Sequence, residues 1–230
     1  MKTDQAVALL AQTAVFSDVG PAALQDVAAS SSYRSYRRGQ YIVQQGDAGD
    51  RLFVIEKGRV KVVYTSEEGD ELVLATMGPP EIFGELALLD GGPRSASVQA
   101  LEPTTVYTID RPSLIALMSR HSSVADGLLC SLGRLVRRMI DQTGDLVFLD
   151  LHGRVAKLLV RLAEEQGSSE SSAVELVRLT QSDLAAMVGG SRQSVNQVLK
   201  SFEDRQYLRV EGRKIVVRDL PGLRRRAHLG

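Results

Sequence analysis

The sequence contains one cysteine, Cys130, and three histidines, His121, His152 and His228, among 230 residues. A single thiol excludes a disulfide framework, an iron–sulfur cluster and a four-cysteine zinc site within one chain. The histidines stand far apart and offer no H-E-x-x-H ligand set, so no metal, haem or cluster is expected. No apolar run approaches the roughly 18–20 residues that a membrane span requires. The opening segment MKTDQAVALLAQTAVF carries Asp4 and Gln5 without a basic cluster, which favours an amphipathic helix over a signal peptide. A cytoplasmic protein without membrane attachment is expected. No nucleophile–base pair stands out, so no enzyme is expected either.

Net charge is also missing, with 28 basic and 28 acidic residues, but the balance conceals an asymmetry. Residues 1–150 hold 14 basic against 19 acidic side chains, and residues 151–230 hold 14 against 9. An acidic first part followed by a basic second part points to a polyanion as partner of the second. Hydrophobic residues make up 43% of the chain and supply an ordinary core.

From Ser32 to Ile109, short β-type stretches (YIVQQG, RLFVIEKG, RVKVVYTSEEGDELVLATMG, ASVQALEPTTVYTID) alternate with Gly46, Gly58, Gly69 and Gly78. This predicts a small barrel or sandwich, with hairpin turns at EKG-RV and SEEGDE. ELALLD, inside FGELALLDGGPRSASV, predicts one or two helical turns. Pro112 fits the first turn of a further helix.

A long helix is predicted over 121–148, roughly 40 Å at 1.5 Å per residue. Ala125, Leu128, Leu132, Leu135, Met139, Gln142, Leu146 and Leu149 follow a heptad spacing, and Leu129, Val136, Ile140 and Val147 form a second row. The heptad seam is read as a dimer interface through Leu128, Leu132, Leu135, Met139 and Leu146; a long core helix in a monomer is the alternative. A second amphipathic helix carries Val155, Leu158, Leu159 and Leu162, and GSSESSA, Gly167 to Ala173, is read as a surface loop.

LTQSDLAAMVGGSRQSVNQVLKSFEDRQYL has the order helix, glycine turn, helix. Thr180 and Ser191 are read as N-caps, and YLRVEG with RKIVVRD as a two-stranded wing carrying Arg213 and Lys214. The second helix exposes Arg192, Gln193, Asn196, Gln197 and Lys200, with Ser194 in its first turn. Arg suits guanine and Asn or Gln suits adenine in the major groove. The tail RRRAH is read either as further phosphate contacts or as a loose basic end.

Within FGELALLDGGPRSASV, backbone N–H groups at Gly84, Glu85 and Leu86 suit an anion, Arg94 supplies a cation and Ser95 a hydroxyl. A carboxylate at Glu85 suits a sugar hydroxyl. Acid and base together fit a ribose phosphate; a Glu85–Arg94 surface ion pair is the plainer alternative.

This stretch resembles the phosphate-binding cassette of cyclic-nucleotide-binding domains, and nearly the whole chain resembles the CRP/FNR family of bacterial transcription regulators, in its cyclic-AMP receptor branch. FLDLHGRVAKLL resembles the family's hinge and first DNA-domain helix. The resemblance implies an α+β fold with an N-terminal β-roll (1–120), a long dimerisation helix and hinge (121–150) and a C-terminal winged helix-turn-helix (151–230). It implies a homodimer on a palindromic double-stranded DNA operator, a cyclic nucleotide (cAMP or cGMP) as effector, and contact with RNA polymerase. Glu85 would take the ribose 2′-hydroxyl, Arg94 and Ser95 the cyclic phosphate, and Arg192 a guanine in each half-site.

Two departures from the family stand out. Where the branch places an adjacent Thr-Ser pair against adenine, this chain has Met139 and Ile140; where it has Arg-Glu on the recognition helix, this chain has Arg192-Gln193. A constitutive or other-effector regulator and a nucleotide-sensing subunit for a protein partner are the remaining readings.

Overall fold

The computed structural model describes residues 2–165, 174–177, 181–212 and 214–228. Residues 32–110 hold eight strands: β1 (Ser32–Tyr36), β2 (Tyr41–Val43), β3 (Arg51–Lys57), β4 (Val60–Thr65), β5 (Glu71–Met77), β6 (Ile82–Phe83), β7 (Ser97–Ala100) and β8 (Thr104–Asp110). They build two antiparallel sheets, ordered β1-β8-β3-β6 and β2-β7-β4-β5.

The run LFVI in β3 is continuously apolar because both of its faces are buried. Side chains alternate along a strand. Phe53 and Ile55 therefore join Val60, Phe83, Val98 and Val106 in a cluster drawn from both sheets. Leu52 and Val54 join a second cluster with Leu10, Phe16, Val27, Leu114, Leu117, Val124 and Leu128. That cluster lies under α1 (Lys2–Leu10), α2 (Pro21–Ser30) and α4 (Arg111–Arg120), while α3 (Glu85–Asp90) interrupts the strands. The side chain of Asp110 caps α4 through the Ser113 N–H at 2.8 Å.

SEEGDE is a hairpin between the paired strands β4 and β5, closed by the Ser66 N–H on the Asp70 carbonyl at 2.9 Å. EKG-RV is not a hairpin. Both edges of β3 are taken, by β6 and β8, so the chain turns at Gly58 and enters the other sheet as β4.

The remaining elements are α5 (Ser122–Phe148), α6 (Leu151–Glu165), β9 (Val174–Val177), α7 (Gln181–Val188), α8 (Arg192–Asp204), β10 (Leu208–Glu211), β11 (Lys214–Val217) and α9 (Leu220–Arg226). Contacts divide the chain into Met1–Arg137 and Arg138–Gly230, a boundary inside α5.

In the first unit the seam expected on α5 is partly used up. Leu128 is only 1% exposed and packs into the cluster beneath α1, α2 and α4, so it has no surface to give a partner. Leu132 and Leu135 are half-buried. Leu129 and Val136 are exposed in this unit, and Met139, Ile140, Leu146 and Val147 are exposed on the part of α5 that belongs to the second unit. Leu128 and Leu129 are both apolar, and the packing of α1, α2 and α4 decides which one faces in.

In the second unit α6, α7 and α8 surround Val155, Leu159, Leu184, Val198 and Phe202. The expected pair of strands is part of a three-stranded sheet, β10-β11-β9, because the far edge of β11 pairs with β9. The RRR segment is helical: Leu220, Leu223 and Ala227 seat α9 in the core. GSSESSA, Thr180 and Arg213 lie outside the described residues.

Candidate functional site

Arg94 is the centre of the first site. It is 5% exposed, so the surface ion pair considered from the sequence does not describe it. Its Nη1 donates to the Gly84 carbonyl and its Nη2 to the Arg51 carbonyl, both at 2.9 Å. The guanidinium lies over the Phe53 ring, 5.5 Å from the centroid. Its Nε is buried without a hydrogen-bond partner. Burial lowers the Arg94 pKa from its ordinary value, and the nearby carboxylates of Asp50, Glu85 and Asp47 oppose that shift.

The backbone around Arg94 is tied on both sides. Its N–H donates to the Asp47 carbonyl at 2.8 Å, and its carbonyl accepts from Gly46 at 2.9 Å. Gly84 precedes α3 with φ of 86°, and a Cβ there would stand 2.7 Å from Arg94 Nη1 and 3.0 Å from the Arg51 carbonyl. At Gly49 a Cβ would overlap the Ala87 methyl and come within 3.3 Å of Arg94 Nε. The loop before β3 and the start of α3 thus close on the guanidinium, and only glycine fits at either position. At the other end of α3, Arg111 Nε donates to the Leu88 carbonyl at 2.8 Å and fixes the helix against α4.

Glu85 is half-buried in the first turn of α3, whereas Leu86 and Ser95 are exposed. Gly84, Glu85, Leu86, Arg94 and Ser95 are therefore brought together as one turn and its return strand. Gly46, Asp47, Gly49, Arg51 and Arg111 were not among the sequence candidates. The dense glycine spacing in GDAGDR is the only local signal that points to any of them. Met139 and Ile140 fall in the second unit, where both are exposed on α5.

A buried cation with an unmatched donor, beside a half-buried carboxylate, can hold a ligand that is anionic at one end and rich in hydroxyls next to it. Charge-assisted hydrogen bonds contribute about 1.5–3 kcal/mol each, and a buried donor left unmade costs about 1–3 kcal/mol. The residues present fit a sugar phosphate.

The second site lies on α8. Ser191 caps the helix, its Oγ accepting from the Ser194 N–H at 3.0 Å and meeting Ser194 Oγ at 2.8 Å. Those two hydroxyls set the helix start. Arg192, Gln193, Asn196, Gln197 and Lys200 line one shallow depression of about 520 Å³ on the outer face. Val195, Val198, Leu199 and Phe202 occupy the opposite, buried face. Glu203 Oε1 accepts from the Val210 N–H at 2.7 Å and ties the end of α8 to β10.

Residues 33–121 match the cyclic nucleotide-binding domain model and residues 153–226 the Crp-like helix-turn-helix domain model. The chain is 35% identical over 220 residues, 95% of its own length and 98% of the relative's, to a CRP-like cAMP-activated global transcriptional regulator of Mycobacterium tuberculosis. It belongs to the CRP/FNR family. A cyclic AMP receptor protein of Thermus thermophilus is 35% identical over 81% of this chain and 83% of that protein. The crystal structure of the Thermus thermophilus catabolite activator protein matches with a TM-score of 0.55 at 32% identity, covering 94% of this chain and 98% of that one. This CRP/FNR member is a DNA-binding transcription regulator with an N-terminal cyclic-nucleotide-binding domain. The family is not enzymatic. No helix among the described residues is long and apolar enough to cross a membrane.

Proposed function

We propose that this regulator is a homodimer whose DNA binding is controlled by cyclic AMP, with cyclic GMP as the alternative nucleotide. The buried Arg94 with its unmatched Nε carries the reading: a cyclic phosphate supplies the acceptor that the guanidinium lacks. Glu85 takes the ribose 2′-hydroxyl, and Ser95 with the Gly84–Leu86 backbone completes the phosphate contacts. Residues 1–120 form the nucleotide domain, 121–150 the dimer helix and hinge, and 151–230 the DNA-binding domain. Ser191, Arg192, Gln193, Ser194, Asn196, Gln197 and Lys200 meet DNA, with Thr180 and Arg213 as further contacts. The operator is palindromic, its half-sites about 34 Å apart. Nucleotide binding shifts a two-state population towards the DNA-binding form, and the bound dimer presents a surface to RNA polymerase.

Calorimetric titration of the dialysed full-length protein with cyclic AMP and then cyclic GMP tests the reading, followed by operator binding with and without each. One nucleotide is expected to bind saturably and to raise DNA affinity. Equal DNA affinity in all conditions overturns nucleotide control while leaving DNA binding intact. Met139 and Ile140, whose side chains cannot hydrogen-bond the amino group of adenine, favour one second reading, a regulator of this fold that answers to another effector or to none.

The dimer forms along the outward row Leu129, Val136, Ile140 and Val147, with Met139 and Leu146 at its flank. Burying one such side chain contributes about 1.5–3 kcal/mol, and two-fold symmetry counts it twice. Ile140→Asp is therefore expected to weaken dimerisation by at least about a hundredfold. Sedimentation equilibrium reads this directly, and an unchanged dimer at micromolar concentration would remove this row from the interface.

A further inference from the structure

The joint between α5 and α6 is two residues long, Leu149 and Asp150, yet side chains from three elements hold it. Asp150 Oδ1 accepts the Gly153 N–H at 2.8 Å and caps α6. Arg226, in the last turn of α9, brings Nη2 to the same carboxylate, 2.8 Å from Oδ1 and 2.5 Å from Oδ2. The Gly153 N–H, then Arg226, hold the Asp150 carboxyl below its ordinary pKa. Lys157 Nζ reaches from α6 to Asp145 Oδ1 on α5 at 2.6 Å. Arg154 donates from Nη1 to the Leu149 carbonyl at 2.9 Å and from Nε to the Val188 carbonyl, at the end of α7, at 3.0 Å.

The helix that carries Arg226 is itself fixed. Asp219 Oδ1 caps it through the Gly222 N–H at 2.8 Å, and Leu220, Leu223 and Ala227 are buried. Arg224 pairs at 2.8 Å with Glu164, in the last turn of α6. The arginine-rich C-terminal segment thus reaches both ends of α6. An isolated exposed ion pair contributes little. The Asp150 pair differs in that its carboxylate also caps α6.

We propose that α9 is a brace on the α5–α6 joint, in which Arg226 is a positioning residue acting through Asp150 to set the direction in which α6 leaves the long helix. Its consequence for DNA rests on the dimer reading above; the brace itself does not. In a dimer, two recognition helices meet one operator simultaneously. A loose joint must be ordered on binding, and that ordering opposes association. A single half-site imposes no such demand.

The test uses the full-length protein with Arg226→Ala, Arg226→Lys and Arg224→Ala, followed first by amide hydrogen exchange. Arg226→Ala is expected to speed exchange at 149–154 about tenfold, with amides of α8 and the melting temperature unchanged. Lysine keeps the charge on a single donor atom and restores protection in part. Arg224→Ala leaves 149–154 as in the native protein. Unchanged exchange at 149–154 in Arg226→Ala overturns the brace. An equal rise through α8 with a lower melting temperature also overturns it, since α9 would then serve only the fold. On DNA, taken from in vitro selection with the native protein, Arg226→Ala is expected to weaken palindrome binding about fivefold and leave an isolated half-site unaffected. Equal loss on both overturns the positioning role. If the native protein selects no DNA, the DNA-binding dimer reading fails and the exchange result alone decides the brace.

Discussion

On the cyclic-nucleotide reading, Arg94→Ala is expected to cost roughly a hundredfold or more in nucleotide Kd, from at least two charge-assisted hydrogen bonds of about 1.5–3 kcal/mol each. The position gives the substitution this weight. The guanidinium is 5% exposed, gives one N–H each of Nη1 and Nη2 to the Gly84 and Arg51 carbonyls, and keeps an unmatched Nε. Arg94 is the one basic residue between Gly84 and Ser95. Removing the arginine also strands two carbonyls, so the fold has to be checked separately. Arg94→Lys retains the charge but loses the fork, and is expected to fold normally with an intermediate affinity. Calorimetry reads the binding and thermal unfolding reads the fold. A cyclic AMP response within about threefold of native in a folded Arg94→Ala protein is too small a change for this assignment.

Arg192→Ala is the second large effect. Arg192 stands exposed in the first turn of α8, behind a Ser191 cap that fixes where the helix begins. A bidentate Arg–guanine pair contributes about 1–3 kcal/mol of discrimination. A dimer makes two, so specific binding is expected to weaken by roughly 2–6 kcal/mol. Non-specific binding at the same salt falls far less, because one phosphate charge changes the salt slope by only about one. The decisive comparison places the native protein and Arg192→Ala on an operator with and without the guanine in each half-site. If the losses are non-additive, Arg192 reads that base. If Arg192→Ala loses the same affinity on every sequence, Arg192 is a phosphate contact. Gln193, which both donates and accepts where the family's acid only accepts, is expected to relax preference at the neighbouring base pair.

Periodicity carried the elements that are long or strongly patterned. The 27-residue α5, the glycine-punctuated strands and the helix–turn–helix were legible because burial on one face repeats at 3.6 or 2 residues. The short elements β9, α2 and α9 were not. β9 has four residues beside a polar run, and α2 and α9 are carried by alanine or arginine as much as by large apolar side chains. Their formation depends on what they pack against: β9 on the free edge of β11, and α9 on the core around α6.

The same division holds at the two sites. FGELALLDGGPRSASV by itself determined that an acid, an arginine and small residues would share one turn, because all of them lie within one short segment. RQSVNQVLK likewise determined which face of α8 is polar. Only the tertiary structure decided that Arg94 is buried between Gly49 and Gly84, that Leu128 turns inward while Leu129 and Ile140 turn outward, and that Arg226 meets Asp150 across 76 positions of sequence. Local pattern is written in neighbouring residues. Burial and charge pairing are set by segments remote in the chain, and they exist only once those segments pack.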